Sequence, residues 1–427
     1  MNRFQPGFLR STRLPLAALG VAVLAFCGLA FELSPRLANR RTNVYTQKIL
    51  VANRPGFGDG ALIDRHLINP WGIALRPPGA GGHIWISNAG NLSSSTYVGD
   101  VNGAPLHQDG LKIVYLNSPL ISYEDGLANV TGQVYNAASD FPNHPLEFPV
   151  SGPASNLTSG SPVPIGTISG SAKFVFVTTE GTINAWRAST AESMDTAVIA
   201  KDYSDHGPDQ IISLPHLPAF TGVAMSSNAE ATNRLYVSDF QNGTIRVLDN
   251  RWVDITANVP FARPANIPAV FSPYNVQLLR GRLYVAFAAV DVTAEEAASD
   301  VPGPGVGHVV AYDLDGHIVQ EFLDAGRLSS PWGLAIAPQN FGALGGSLLV
   351  GNFGDGTIAA FDLTTGAFRD YLRNDSGEPI VIDKLWGLTF GNGVTLGDLN
   401  SLYFTAGPNE EQDGVFGRLR YSGPAAK

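Results

Sequence analysis

The chain carries one cysteine, Cys27, among its 427 residues. Beyond it, no disulfide framework, cysteine-based metal site or thiol nucleophile can form. Charge is sparse as well: Asp, Glu, Lys and Arg make up 15% of the residues against 44% hydrophobic, a balance that folds rather than stays disordered. No Lys/Arg-rich run follows residue 41 and the formal net charge is −10, so no nucleic-acid partner is expected. No GxSxG nucleophile elbow, HExxH helix or phosphate loop occurs. The eight histidines show no paired metal-ligand spacing. The glycine-rich "GPGVG" (303–307) follows an acidic loop, which would repel phosphate, and reads as a turn.

The amino terminus is different in kind. Arg3, Arg10 and Arg13 precede an uninterrupted apolar run, "LPLAALGVAVLAFCGLAF" (14–31). A basic flank, an apolar core and small residues at Gly28 and Ala30 form a secretory signal with cleavage after Ala30. The run is also close to the shortest spanning helix, which leaves an uncleaved membrane anchor as the alternative. Phe26 before Cys27 does not suit a lipoprotein signal. The expected organisation is a signal or anchor (1–30), a linker (31–42), one β domain (43–423) and a short tail (424–427). The product is expected to be exported to the periplasm or beyond. It would touch the membrane only through an uncleaved amino terminus, and is expected to be a monomer.

Gly (47) and Pro (29) are abundant, as in chains with many tight turns. They punctuate a repeat. "NPWGIAL" (69–75), "SPWGLAI" (330–336) and "KLWGLTF" (384–390) share one pattern, and weaker copies begin at Thr131-Gly132, Thr221-Gly222 and Tyr274-Asn275. The second positions of the six starts are spaced by 60, 90, 53, 58 and 54 residues. A Val/Ile/Tyr/Phe-rich run follows each start, for example "HIWISN" (83–88), "RLYVSDF" (234–240) and "SLLVGNF" (347–353). A third run follows several of these, after Glu180-Gly181, Asn242-Gly243 or Asp355-Gly356. Asn-Gly and Asp-Gly favour two-residue type I′ hairpins, with positive φ at both positions. Each unit is then an antiparallel meander of three or four strands, and six arranged about an axis make an all-β, six-bladed β-propeller. Small residues in "WGIAL" suit inner strands that crowd at the axis. The segment 43–53 is placed to complete the last blade and close the ring, and the long spacings put insertions at 139–172 and roughly 188–216, the second with room for a short helix.

"GLAIAP…GSLLVGNFGDGTIAAFD" and "GVAMSS…NRLYVSDFQNGTIRVLD" resemble NHL-type repeats, found in six-bladed propellers. The wider set, including "LINPWGIAL", "PYNVQLLRGRLYVAFA" and "LYFTAGPNEEQDGVFG", is similar to an uncharacterised family of exported bacterial proteins. Many of those end in a PEP-CTERM sorting tail, whereas this chain ends "YSGPAAK". The resemblance implies fold and export and carries no activity.

A propeller places the inner-strand starts and the turns between second and third strands on one face. That gathers Trp71, Tyr274, Trp332 and Trp386 with Asn88, Glu180, Asp239 and Asn352, and with two acidic loops, 290–300 and 407–414. Trp71, Asn88, Tyr274, Trp332, Trp386, Asn409 and Glu410 are the candidate ligand contacts. Against this, Trp at such a position also serves as a packing plug, and Asn or Asp as a backbone acceptor. The first reading is a binding module for a small molecule, glycan or protein at an acidic, aromatic-rimmed mouth. The second follows an analogy with gluconolactonase-like propellers, whose central divalent metal is held by Glu, Asn and Asp. Glu180, Asp239, Asn275 and Asn352 would be such a set for Ca²⁺ or another divalent cation, in a metal-dependent hydrolase or lactonase. The "EGP" opening typical of that group is missing here. A structural envelope or matrix protein is the third reading.

Overall fold

The computed structural model describes residues 43–119, 129–141, 144–156, 162–189, 191–204, 218–226, 232–294, 298–323 and 326–423. The apolar amino-terminal run and the tail lie outside the described residues. The described chain is all-β, with helix limited to short 3₁₀ turns.

Its strands form meanders in chain order. The first runs Pro70–Ala74, Ile84–Asn88, Ser93–Tyr97, Ile113–Leu116, and the second Val130–Tyr135, Phe174–Thr178, Thr182–Trp186, Thr196–Asp202. The third has three strands, Phe220–Met225, Leu235–Asp239 and Thr244–Leu248. The fourth is Phe271–Leu279, Arg282–Ala289, His308–Tyr312, Ile318–Phe322, and the fifth Pro331–Ile336, Leu348–Asn352, Ile358–Phe361, Phe368–Tyr371. The last, Leu385–Phe390, Ser401–Ala406 and Val415–Tyr421, takes its outer strand from the beginning of the domain, Tyr45–Ala52. That antiparallel pairing, Tyr45 opposite Tyr421 through Ala52 opposite Val415, joins the first and last segments and leaves no free edge there.

The first strands of the meanders neighbour one another in a cycle: Pro70–Ala74, Val130–Tyr135, Phe220–Met225, Phe271–Leu279, Pro331–Ile336, Leu385–Phe390 and back to Pro70–Ala74. This is a propeller-like arrangement. One feature departs from independent blades: Thr196 and Ala197 pair in parallel with Tyr115 and Leu116. The first two meanders thereby merge into an eight-stranded sheet whose end strands lie side by side, so it is nearly closed.

Glycine makes the cycle possible. A Cβ on Gly72 would meet Thr131 O at 2.7 Å, and one on Gly132 would meet Val223 N at 2.7 Å. On Gly222 it would meet Asn275 Oδ1 at 2.2 Å, on Gly333 Trp386 O at 2.4 Å, and on Gly387 Trp71 O at 2.6 Å. Each glycine faces the inner strand of the next meander. The position without glycine is Asn275, and its side chain spans the same gap by donating to Trp332 O at 2.8 Å.

A second regularity ties the turns to the inner strands. The residue after each second strand donates its N–H to the carbonyl before the inner strand. The six bonds are Ala89 to Asn69, Thr179 to Asn129, Phe240 to Ala219, Val290 to Val270, Phe353 to Ser330 and Gly407 to Lys384, at 2.9–3.1 Å. The turns and the strand starts therefore share one face, as the repeat predicts.

The turns correct the hairpin expectation. Gly181, Gly243 and Gly356 have positive φ (82°, 66°, 72°), but Glu180, Asn242 and Asp355 do not. The paired residues Asp239 and Thr244 bracket a four-residue loop. A type I′ turn is too short to send the loop's first N–H back to the inner strand.

The insertions also fold as strand. Pro149–Asn156, Val163–Ser171 and Glu192–Met194 make a separate three-stranded sheet. The described part of 188–216 holds strand and no helix.

Because the atom opposing Gly333 is backbone, it cannot swing aside. Gly333→Ala should lose about 1–3 kcal/mol, as for overpacking. Gly110→Ala, where an added Cβ meets nothing within 4 Å, should change stability by less than about 0.5 kcal/mol. Urea unfolding of the two variants against wild type checks both.

Candidate functional site

Each inner strand begins with a β-bulge, where the ladder slips against the second strand. The residues in the slip include Trp71, Thr131, Thr221, Tyr274, Trp332 and Trp386. A bulge re-aims a side chain, and here the large rings meet. Trp71 stacks on Trp386 with centroids 3.5 Å apart. Trp332 stands edge-on to both, at 6.0 and 5.8 Å. Tyr274 lies 6.4 Å from Trp71 and 6.0 Å from Trp386. Phe353 and Phe240 pack behind, 4.0 Å from Trp386 and 4.6 Å from Tyr274. The small Thr221 lets the Trp332 indole donate to its backbone oxygen at 3.0 Å. Tyr274, Trp332 and Trp386 are each 1% exposed and Trp71 6%. The four predicted aromatics thus converge, but they plug the axis and cover one another's faces instead of rimming an open mouth.

A polar group borders this plug. Tyr274 OH donates to Asp300 Oδ1 at 3.1 Å. Burial raises the Asp300 carboxyl above the usual range, against the pull of Ser330, Tyr274 and the Lys384 charge. Burial, then the Asp300 and Glu411 charges, hold the Tyr274 phenol well above its ordinary value. Lys384 Nζ lies over the Phe353 ring at 4.7 Å and 3.7 Å from Glu410. Ser330 Oγ sits beside Asp300 without completing a hydrogen bond. It, Asp300 Oδ2 and Trp71 Nε1 are buried atoms with no hydrogen-bond partner among the described residues.

The backbone here is strained. Asn69, Ser330 and Lys384, each two residues before a Trp, have φ of 44°, 45° and 52°. Asn409, Glu410 and Glu411 follow one another at 60°, 51° and 64°. Left-handed geometry costs Ser330, Lys384, Glu410 and Glu411 about 1–2 kcal/mol apiece, and Asn69 and Asn409 less, and strain of this kind gathers at functional sites. Asp300 and Glu411 lie in the two acidic loops expected on this face, 290–300 and 407–414, whereas Ser330 and Lys384 fall outside the sequence-based expectation. The shared spacing of Asn69, Ser330 and Lys384 before Trp was the available signal, since it marks a position under a common backbone constraint.

The remaining predicted residues are engaged locally. Asn88 donates to Ser93 and Ser95 Oγ, both at 3.0 Å. Asn409 lies on the exposed loop, its N–H directed at Asp383 Oδ2 at 3.2 Å, and Glu410 is exposed. Of the four proposed metal ligands, Asp239 accepts from Arg246 Nε at 2.8 Å and from Asn242. Asn352 accepts from Ser329 N and donates to Arg327 O and Thr357 Oγ1. Asn275 bridges to Trp332 O, and its Oδ1 accepts from Val276 N. Glu180 accepts from Ser118 Oγ at 2.8 Å and Thr182 Oγ1 at 3.3 Å. Among the described residues no group of three or more His, Cys, Asp or Glu side chains is gathered to hold a metal.

No protein-family model matches the chain. It is 28% identical over 396 residues to uncharacterized protein R648 of Acanthamoeba polyphaga mimivirus, covering 92% of this chain and 84% of that one. It is 34% identical over 192 residues to uncharacterized protein L690 of the same virus, 44% of this chain and 49% of the relative. These relatives do not bear on the exported bacterial family or its sorting tail. Among solved structures, a glucose dehydrogenase aligns with 83% of this chain and 96% of its own, at 14% identity and a TM-score of 0.46. Virginiamycin B lyase from Staphylococcus aureus aligns with 88% and 99%, at 13% identity and a TM-score of 0.42. Likeness at this level speaks to neither ligand nor activity, and the propeller-like fold rests on the strand topology above.

Glu180 gives a pH test. Burial raises its carboxyl from 4.5 to about 7, against hydrogen bonds from Ser118 and Thr182 and with a push from Asp202. The folded state then holds the proton more tightly than the unfolded chain, so stability falls as pH rises from about 4.5 to about 7. Glu180→Gln should lack that fall. Its stability relative to wild type should rise between pH 5 and pH 8 in urea unfolding.

Proposed function

We propose that the chain is an exported six-bladed propeller that binds a ligand at the acidic face bordering its aromatic plug. The observation that supports this is the set of buried polar atoms at Trp71, Asp300 and Ser330 that have no partner among the described residues. Buried donors and acceptors are almost always paired in native proteins, and these would pair with a ligand offering both hydroxyl and N–H groups. Asp300, Glu410 and Glu411 outnumber Lys384, which favours a small molecule, glycan or peptide carrying an ammonium group over an anionic one. The cycle of inner strands supports six blades, and the apolar run 14–31 supports export. Mass spectrometry of the secreted product should find an amino terminus near Phe31, whereas an intact Met1 on a membrane-bound product makes the run an anchor.

The ligand test uses amino sugars and polyamines as probes, with neutral and carboxylated analogues beside them. Amine probes should raise the melting temperature and quench the plug tryptophans, and Asp300→Asn should weaken binding at least about tenfold, the loss of a charge-assisted contact. Equal responses to all three charge classes, or an unaltered Asp300→Asn, would sink the reading.

The metal-dependent hydrolase alternative needs Asp239 free to hold a cation, and Arg246 already neutralises it. Adding Ca²⁺ to chelator-stripped protein should therefore leave the melting temperature unchanged. A rise that Asp239→Ala abolishes would restore that alternative.

A further inference from the structure

The sheet built by the insertions has two edges, and only one of them is covered. Its central strand, Pro149–Asn156, buries Val150 and Ala154 in the core beside the second meander. On one side it pairs with Glu192–Met194, and that strand is covered by its own hairpin: Met194 N donates to Arg187 O at 3.0 Å, and Ser189 N to Glu192 O at 2.7 Å. On the other side lies Val163–Ser171, nine residues long, which pairs with no further strand among the described residues.

The direction of its backbone groups is fixed by the neighbours. Ala172 N donates to Phe148 O at 2.9 Å, and Pro153 O, in the central strand, accepts from Asp195 N on the far side. Gly152 and Ala154 therefore turn their backbone groups toward their register partners Ile168 and Gly166. The N–H and C=O of Thr167 and Ser169 then point away from the sheet, and neither residue meets a backbone partner there among the described residues. Arg187 Nη1 donates to Ser171 O at 3.1 Å and so closes one end of the edge. Pro164 and the bulge beside Ala154 and Ser155 blunt the other. Between these guards the edge is open.

It is also uncharged. Residues 148–172 contain no Asp, Glu, Lys, Arg or His, in a chain of net charge −10. A second uncharged run of similar length, 328–354, is mostly buried, as such runs ordinarily are. Val163–Thr167 is instead exposed throughout, with Val163 at 49% and Ile165 at 41%. Soluble proteins commonly place charge on an exposed strand edge to keep other strands away.

We propose that this edge pairs antiparallel with the same edge of a second copy of the chain, giving a dimer in place of the monomer expected from the sequence. About a two-fold axis at Ile168, Thr167 of one chain faces Ser169 of the other, and each such pair exchanges two main-chain hydrogen bonds. Gly166 faces Gly170, so no side chain obstructs the approach beside them. A strand that meets its own copy sets any charge near a like charge, which is unfavourable, and an uncharged strand suits that partner. A foreign partner would be steered by complementary charge, and this edge offers none. Across the rest of the surface two copies of an acidic chain repel. The paired segment is short, so the dimer is weak and depends on concentration.

Sedimentation velocity of the purified chain, from micromolar to submillimolar concentrations, tests this. Wild type should shift from monomer toward dimer as concentration rises. Thr167→Lys/Ser169→Lys puts like charges across each pair and should weaken self-association at least about tenfold. Its melting temperature should match wild type, because both side chains are exposed. Mixing it with Thr167→Glu/Ser169→Glu should restore a dimer with one chain of each kind. The apolar run 14–31 is common to all variants and cancels from the comparison. The inference is overturned if wild type and the Lys variant sediment alike at every concentration, or if the mixed variants stay apart. It is equally overturned if wild type stays monomeric and takes up an extended foreign peptide at this edge.

Discussion

Everything else in this molecule depends on how closely its inner strands approach. Around the axis, the backbone of one meander lies where the Cβ of its neighbour would be, at 2.4–2.8 Å for Gly72, Gly132, Gly222, Gly333 and Gly387. A side chain is admitted at this layer only if it does the bonding that the close approach would otherwise do, as Asn275 does for Trp332 O. Strands held this near cannot also bring large residues to the axis from an unbroken ladder. The bulge solves that conflict: it takes the residue before the glycine out of register and turns it inward. Trp-Gly is therefore one device with two halves, a ring that fills the axis and a gap that lets the strands close around it.

That device was half legible. The repeated Trp-Gly, its spacing and the β-rich runs after it carry the strand order, the sharing of one face by turns and strand starts, and the closing strand from 43–53. These are consequences of local pattern and chain order, which a sequence displays. Pairing is not displayed. Asp239 and Asn352 are the residue types a cation would need, yet Asp239 faces Arg246 across its own hairpin, and Asn352 closes a turn. The Asp239–Arg246 pair follows from hairpin register, since Asp239 opposes Thr244 and Arg246 lies two residues on, on the same side of the sheet. Asn275 was misleading for a deeper reason. It occupies the glycine position of the repeat, and the amide that would suit a cation instead replaces a backbone contact there.

Buried carboxylates show how differently one residue type is accommodated. Asp239 is met by a guanidinium, Glu180 by two hydroxyls, and Asp64 by Tyr97, Ser95, Gln108 and His66. Asp64 gathers enough donors that its carboxyl stays below the ordinary range although burial pushes the other way. Glu180 has too few and rises. Asp300 rises too, and differently: one oxygen has the Tyr274 phenol and the other has no partner among the described residues. A carboxylate whose donors are all supplied locally is part of the scaffold, whereas one left with an open oxygen beside a strained turn has chemistry to offer from outside.

The repeat itself argues for where new chemistry can be added. Inner-strand positions are fixed by the approach of neighbouring backbones, and the plug residues by one another, so neither tolerates much change. Two regions escape the constraint: the long loops that carry Asp300 and Glu411 above the plug, and the insertion that widens the second meander. The insertion has the greater freedom, because its sheet replaces no repeat strand. It can offer the open edge of Val163–Ser171 without disturbing any glycine contact at the axis. The parallel pairing of Thr196–Ala197 with Tyr115–Leu116 fits the same logic. It locks the outer edges of the first two meanders together, and Leu116 and Ala197 thereby join the buried core that holds Trp85, Phe174 and Trp186.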